Sequence, residues 1–315
     1  MTATIDRPDA PSAPAPRPRR KRHRMLVGGM PPPTILSRVL KAVVLTVLCA
    51  FVVIPFVSVV STSLADQAQV SQAGGFVLFP ENPSFRAYES IFQGGVVTRA
   101  LVVSLLITVV GTAVSLVCTA TLAYALSRPE SFGHKPMLLT VLATLLFAPG
   151  IIPMYLVIQQ LGMLDSYWSL ILPVAVNGFN VIVMRAFFMG LPRELMEAAR
   201  IDGAGEIAIL RMVVVPLSKA VFAVIGLFYA VSYWNAFFHA LLYLNDTTMW
   251  PLQLVVRTYV IQNATLSDPL QTTAPPPTES IQMAILVISI VPILIVYPFL
   301  QKHFAKGVLT GAVKS

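Results

Sequence analysis

Charge is scarce in this chain. Of its 315 residues only 11% are charged, against 56% that are hydrophobic, and the mean hydropathy is +0.76. A soluble domain carries about 25% charge, so an ordinary water-soluble globule is excluded. Cysteine is scarcer. Cys49 and Cys118 both fall inside apolar runs and read as small buried hydrophobes, which excludes a disulfide framework and a cysteine-based zinc site. No Gly-x-x-x-x-Gly-Lys-Ser/Thr occurs, so nothing suggests that the chain cradles nucleotide phosphates itself. The central parts of the apolar runs hold no Asp, Glu, Lys or Arg. Ion-coupled carriers usually place such groups at membrane depth, and the absence argues against that class. The sequence shows no internal repeat, so the inverted-repeat transporter plan gains no support.

Long apolar runs are what the chain has instead. A bilayer core of about 30 Å needs roughly 20 apolar residues per helix. Six stretches approach or reach that length, at about 42–61, 100–125, 137–159, 167–188, 221–244 and 282–300. The expected fold is all-α, a polytopic membrane protein with six transmembrane helices. Pro149-Gly150 and Pro153 interrupt the third run. Such breaks persist only where protein or water satisfies the freed backbone groups, so 148–153 reads either as a cavity wall or as a kink against a neighbouring helix. Residues 1–36 are rich in Pro and Ala, then basic at Arg17, Arg19, Arg20, Lys21, Arg22 and Arg24. That composition cannot form a core and reads as a disordered anchor near anionic lipid rather than a nucleic-acid site. Phe76, Phe79, Phe85 and Tyr88 are expected at a membrane interface. The segment 246–280, with Pro275-Pro276-Pro277, is expected to be irregular.

Charge sets the orientation. With both termini in the cytoplasm and six spans, the inner segments hold nineteen Lys and Arg. The outer ones hold three, Arg86, Arg99 and Arg257. The positive-inside rule favours that arrangement.

The densest mixture of charges beyond the N-terminal tail is Glu197-Ala198-Ala199-Arg200-Ile201-Asp202-Gly203, which continues to Val213-Val214-Val215-Pro216. The spacing predicts a short helix with Pro192 in its first turn. Leu195, Ala198, Ala199 and Asp202 fall at i, i+3, i+4 and i+7 and should share one face, where small side chains let another backbone approach. Glu194, Glu197 and Arg200 lie beside them, free to make charge-assisted hydrogen bonds to a partner. Gly203 is a natural left-handed stop, and Pro216 should end or bend the next helix. The plain alternative is an amphipathic connector lying on the membrane surface.

This stretch resembles the signature of ABC importer permeases: Glu-Ala-Ala, three residues, Gly, nine residues, Ile, any residue, Leu-Pro. Glu197, Ala198, Ala199, Gly203 and Pro216 match at the family spacing, while Val213 and Val215 stand where Ile and Leu are usual. Looser similarities extend from about residue 41 to the end. They are carried by Phe79-Pro80 and Tyr88, Leu161-Gly162 through Pro173, and Arg185 to Gly203. Tyr233-Trp234-Asn235, Pro251-Leu252-Gln253-Leu254 and the tail from Gly307 to Lys314 add to them. Together they are similar to permease subunits of binding-protein-dependent carbohydrate importers. The branch is that of the smaller maltose permease subunit, and closer still that of permeases for multiple or complex sugars.

The resemblance implies a type I importer permease domain over 37–315, with a core at about 96–300 and a coupling loop at 190–218. It implies no covalent chemistry and no cofactor or metal in this chain, because ATP is bound by partner ATPase subunits. The implied partners are a second homologous permease, two ATPase subunits, an extracytoplasmic sugar-binding lipoprotein and membrane lipid, with no nucleic acid. The implied location is a bacterial cytoplasmic membrane. Glu197, Ala198, Ala199, Asp202, Gly203 and Pro216 are then expected to couple to the ATPase. Gly311, Ala312 and Lys314 match a tail that reaches between the two ATPases. A permease of the same superfamily for another solute stays open. Asn177, Asn180, Tyr233, Trp234, Asn235 and His239 are the polar and aromatic candidates for a sugar path. Each has a plainer role in interhelical hydrogen bonding or at the interface.

Overall fold

The computed structural model describes residues 35–93, 95–261 and 279–312, with Gln67, Ile261, Tyr297 and 299–312 described by their backbone alone. Of the expected basic tail 1–36, only Ile35 and Leu36 fall among them. Lys314 and Pro275 to Pro277 lie outside the described residues.

Among the described residues every regular element is helical. The chain divides into two compact units, 1–54 and 55–315. The described part of the first unit is one run of helix, the start of α1 (Ile35–Leu64). The second unit continues α1 and holds α2 (Gln67–Gln72), α3 (Arg86–Gln93), α4 (Val96–Leu126), α5 (His134–Leu146), α6 (Ile151–Gln160) and α7 (Trp168–Ile171). Then come α8 (Gly178–Met189), α9 (Arg193–Ile201), α10 (Glu206–Ile209), α11 (Val215–Leu217), α12 (Lys219–Trp234), α13 (Phe238–Tyr243), α14 (Leu252–Val256) and α15 (Glu279–Ala312).

Among the described residues three helices, α1, α4 and α15 over Glu279–Val296, are long and apolar enough to cross a membrane. Two bent pairs raise the number to five: Trp168–Val174 with Gly178–Met189, bent by 53°, and Glu206–Leu217 with Lys219–Trp234, bent by 88°. The expected third span is divided. α5 has 13 residues and α6 has 10, with Pro149 and Gly150 between them, and Gly150 takes φ 82°. The six apolar runs are thus each largely helical and compatible with six crossings, but only three are uninterrupted. The fifth ends at Trp234, earlier than its composition suggested, and resumes as the separate α13.

The centre of the second unit is the packing of α4 against α12. On α4 the buried residues Ile107, Gly111, Ser115, Thr119 and Ala123 recur every fourth position, and the last four make a stripe of small side chains that admits a close neighbour. On α12, Val221, Ile225, Tyr229 and Tyr233 recur with the same spacing. The helices meet antiparallel, as the pairs Thr119 with Tyr229 and Ser115 with Tyr233 require. A Cβ on Gly111 would stand 2.8 Å from the Tyr233 ring, so a side chain there is excluded without displacement. A second cluster gathers Val97 and Ala100 of α4, Trp234 of α12, Leu252 and Val255 of α14, and Ala284 and Ile285 of α15.

Candidate functional site

The signature stretch forms α9 and the turn after it. Pro192 stands just before the helix rather than in its first turn, with Arg193 opening it and Glu194 in the first turn. The end matches the expectation. Asp202 is the last cap, Gly203 takes φ 82°, and Gly203 N–H and Ala204 N–H donate to the carbonyls of Arg200 and Ala199 at 3.0 and 2.9 Å. That pair of bonds is the Schellman closure, which needs a left-handed residue between them.

The expected face is divided. Met196 and Ala199, three residues apart, pack against the main core, while Leu195, Ala198 and Asp202 are exposed. Ala198 and Ala199 are about 100° apart around the axis, and the line of contact passes between them. The exposed residues include Glu194, Leu195, Glu197, Ala198 and Ile201, then Ile207 and Met212 beyond the turn. Ile201 is 86% exposed and Ile207 84%. They make an uncovered apolar patch beside charged side chains on this face.

Arg200 does not wait for a partner, as its position on the helix had suggested. It belongs to a cluster built on Glu206, the first residue of α10. Arg128 Nη1 lies 2.7 and 2.9 Å from the two Glu206 carboxylate oxygens, Arg200 Nη2 donates at 2.8 Å, and the Tyr124 hydroxyl donates at 2.8 Å. Arg128 Nη2 also donates to the Tyr124 hydroxyl and lies 3.6 Å from Met196 Sδ. Burial works against the Glu206 charge, yet the bonds from Tyr124 and Arg200 and the charge of Arg128 outweigh it and hold the carboxyl below its ordinary value. The cluster ties the last turn of α4 to both sides of the Gly203 turn. Arg185 of α8 adds a bond from Nε to the Leu126 carbonyl at 2.7 Å. A cleft of about 130 Å³ opens beside it, lined by Arg128, Glu130, Arg193, Met196 and Glu197 among others. The sequence did not expose this cluster, because Arg128 and Glu206 are 78 residues apart.

After α10 the chain widens into a π turn over Leu210–Val214. Pro216 has no N–H for the Met212 carbonyl and its ring crowds that carbonyl, which accounts for the wider turn. The 88° bend into α12 comes at Ser218.

The six path candidates separate by burial. Tyr233 is buried, its hydroxyl 2.8 Å from Ser115 Oγ and donating to the Ile171 carbonyl at 3.2 Å. Trp234 is buried and donates from Nε1 to the Ser289 carbonyl at 3.1 Å. Asn180 is buried, and its N–H donates to Asn177 Oδ1 at 3.2 Å, which caps α8. Asn177 is exposed and its own N–H donates to the Tyr229 hydroxyl at 3.0 Å. Asn235 is exposed at the end of α12. His239 is half-buried and stacks on Tyr243, with ring centroids 5.8 Å apart. The structure therefore groups Asn177, Asn180, Tyr229 and Tyr233 through α4, α8 and α12, and leaves Asn235 and His239 near the loop after α12. Gly311 and Ala312 fall at the end of α15.

One brace was not legible in the sequence. Asp165 has φ 54° and joins two loops. Its carboxylate accepts from Asn245 N–H at 2.5 Å, Asn245 Nδ2 at 3.1 Å and Asp246 N–H at 3.3 Å. The bonds from Asn245 hold the Asp165 carboxyl below its ordinary value.

Known proteins share this architecture. A family model described as "Binding-protein-dependent transport system inner membrane component" matches residues 135–310. Protein LplC of Bacillus subtilis is 48% identical over 268 residues, 84% of this chain and 90% of that protein. The polygalacturonan/rhamnogalacturonan transport system permease protein YtcP of the same organism is 44% identical over 265 residues, 83% and 92%. Among solved structures, a chain from a bacterial ABC transporter involved in the import of the acidic polysaccharide alginate superposes with a TM-score of 0.79 at 31% identity. It covers 87% of this chain and 100% of that one. The all-α architecture is that of an ABC importer permease, and the chain belongs to the family of binding-protein-dependent transport system inner membrane components.

Proposed function

We propose that this chain forms half of the translocation path of an ATP-driven importer for an oligosaccharide or complex sugar, and that α9 with the Gly203 turn couples it to an ATPase subunit. The observation that carries the coupling role is the exposed face of Glu197, Ala198 and Ile201 on a helix whose other face is fixed to the core. Glu197, Ala198, Ala199, Asp202, Gly203 and Pro216 sit in that segment as docking and hinge residues. The sugar assignment draws on relatives such as the polygalacturonan/rhamnogalacturonan permease.

In this reading both termini and 190–218 face the cytoplasm, as the nineteen-to-three charge bias favours. The chain works with a second permease, two ATPase subunits and an external binding lipoprotein in a bacterial cytoplasmic membrane, and performs no covalent chemistry. Residues 1–36 anchor it, 37–315 form the permease domain, and Gly311, Ala312 and Lys314 reach toward the ATPases. Closure of the ATPase pair moves α9. The Glu206 cluster passes that movement to the end of α4, and the α4–α12 hydroxyl pairs keep both helices moving together. Asn177, Asn235 and His239 retain accessible surface for sugar hydroxyls, while Tyr233 and Trp234 set the helix positions around them.

The test is reconstitution with the cognate ATPases and binding protein. Sugar uptake that requires ATP and the binding protein supports the reading, and a purified permease that retains no ATPase subunit contradicts it.

A further inference from the structure

Two of the three uninterrupted spans described above meet at their polar ends. α1 stops at Leu64 and α15 starts at Glu279. Ser280 Oγ donates to the Ala65 carbonyl at 3.1 Å, a buried bond that joins them. Ser84 N–H donates to the Leu64 carbonyl at 2.8 Å, and Ser63 Oγ lies 2.8 Å from the Tyr88 hydroxyl, which ties α3 to the same place. Both long helices are apolar spans up to this junction, so it stands at the level of a membrane surface. Phe85 and Phe92, beside either end of α3, are exposed there, as aromatic side chains are at a lipid–water boundary.

Among these elements lies a cleft of about 240 Å³, lined by Asp66, Ser84, Arg86, Ala87, Ser90 and Ser280 among others. It is larger than a single bound water needs and open to solvent, since Asp66, Arg86 and Ser90 are exposed. Ser84 Oγ accepts from Arg86 N–H at 3.3 Å, and Ser90 Oγ donates to the Arg86 carbonyl at 2.9 Å. Two hydroxyls thus hold the turn that carries the guanidinium. The cleft has one charged side chain of each sign, so a ligand of a single sign would meet a like charge. A zwitterion finds a partner at each end. An arginine fork binds a phosphate, and the first turn of α3, whose N–H groups lack intrahelical acceptors, favours the same end. A carboxylate accepts from a primary ammonium, which carries three donors. A quaternary ammonium is held instead by aromatic rings, and none of the described residues lining the cleft is aromatic.

We infer that this cleft is a phospholipid site, and that it takes a phosphoethanolamine headgroup with its phosphate toward Arg86 and its amine toward Asp66. In the proposed orientation the lipid belongs to the outer leaflet. The inference is independent of the sugar carried and of coupling to an ATPase; it uses only α1 and α15 as spans. A lipid seated there bridges the end of α1, the start of α3 and the start of α15, and steadies the outer end of the bundle.

The experiment uses the complete importer, purified in detergent with its ATPases and partner permease, and counts bound lipid by native mass spectrometry. Phosphatidylethanolamine, phosphatidylglycerol and phosphatidylcholine with identical acyl chains are added in turn to wild type, Asp66→Asn, Arg86→Gln and Ser90→Leu. Ser90→Leu puts an apolar side chain into the cleft and leaves both charges in place. At one site the wild type should bind phosphatidylethanolamine about fivefold more tightly than either other lipid, which is what one exposed ion pair contributes at most. Each of the three variants should remove that preference. Glu81→Gln, which changes an exposed charge outside the cleft, should keep it. Equal binding of the three lipids by wild type, or a preference retained in either charge variant, overturns the inference. If the retained preference comes with loss of binding-protein-stimulated ATPase, the cleft is a contact for the binding protein instead. Competition by free phosphoethanolamine as strong as by the lipid assigns a soluble ligand and also overturns the inference.

Discussion

The Tyr233 hydroxyl lies 2.8 Å from Ser115 Oγ, and one turn earlier on the same helix the Tyr229 hydroxyl lies 2.6 Å from Thr119 Oγ1. Two rungs, a turn apart on both helices, fix the register of α12 against α4. Tyr229 and Tyr233 each bind a third element as well, through the Asn177 N–H and the Ile171 carbonyl. A one-residue slip would break all four bonds.

Tyr233→Phe should keep the fold and loosen this contact. Hydrogen bonds between membrane helices contribute about 0.6 to 2 kcal/mol, and removing one hydroxyl here leaves Ser115 and Ile171 short of a partner. Gly111→Ala should cost more, about 1 to 3 kcal/mol, because its Cβ would overlap the Tyr233 ring. The double variant Gly111→Ala with Tyr233→Ala should recover part of that loss. Thermal unfolding in detergent measures all three, and equal stability of wild type and Gly111→Ala would contradict the packing.

Glu206→Gln should weaken the tie between α4 and the Gly203 turn. The carboxylate is 56% exposed, so solvent screening limits the stability cost to about 1 kcal/mol. The larger expected effect is on coupling, with more ATP hydrolysed per sugar imported. The exchange Arg128→Glu with Glu206→Arg should restore part of the ratio that Arg128→Glu alone loses. A depressed carboxyl contributes stability above its ordinary value, near pH 4.3 for glutamate, and loses it as pH falls through the folded value. The wild-type cluster should therefore be insensitive to pH from about 7 to 5 and fail only at lower pH. A coupling ratio unchanged in Glu206→Gln would remove the cluster from the mechanism.

Topology can be read by labelling. Ser218 is fully buried, so a cysteine there would not report its side of the membrane. Ile207 and Phe79 are 84% and 82% exposed and are better sites. With Cys49 and Cys118 replaced, Phe79→Cys should react in intact cells, and Ile207→Cys only after permeabilisation. The reverse pattern would invert the proposed orientation.

The helical class and the signature helix with its Gly203 stop were legible because they depend on local chemistry. Apolar length marks a span, and a glycine three residues past Arg200 can close a helix. Pro149 and Gly150 likewise announced the break between α5 and α6. What stayed hidden depends on contacts distant in sequence. Ala199 turns inward because of the core beneath it, which periodicity alone does not locate. Arg200 meets Glu206 through a turn, and Arg128 reaches it across 78 residues. Tyr233 and Trp234 stood as path candidates because aromatic rings can stack on a sugar face, with interhelical bonding as the plainer role, and periodicity alone does not show that both are buried between helices. The Asp165 brace depends on a left-handed aspartate, a conformation that aspartate adopts more readily than most residues but does not announce.

Docking of α9 on an ATPase subunit is the central claim, and the most direct measurement is the ratio of sugar imported to ATP hydrolysed in reconstituted vesicles. Gly203→Pro removes the N–H that closes the Schellman turn and forbids φ 82°, while Glu197→Lys reverses an exposed charge on the docking face. The account predicts that both variants insert normally and that both lose most uptake per ATP, with Gly203→Pro the more severe. Glu197→Lys should weaken docking by about 2 to 5 kcal/mol where the contact is desolvated. A surface connector without a partner would lose about 0.5 kcal/mol or less. Normal insertion, retained ATPase subunits and an unmodified transport ratio in both variants would contradict the account.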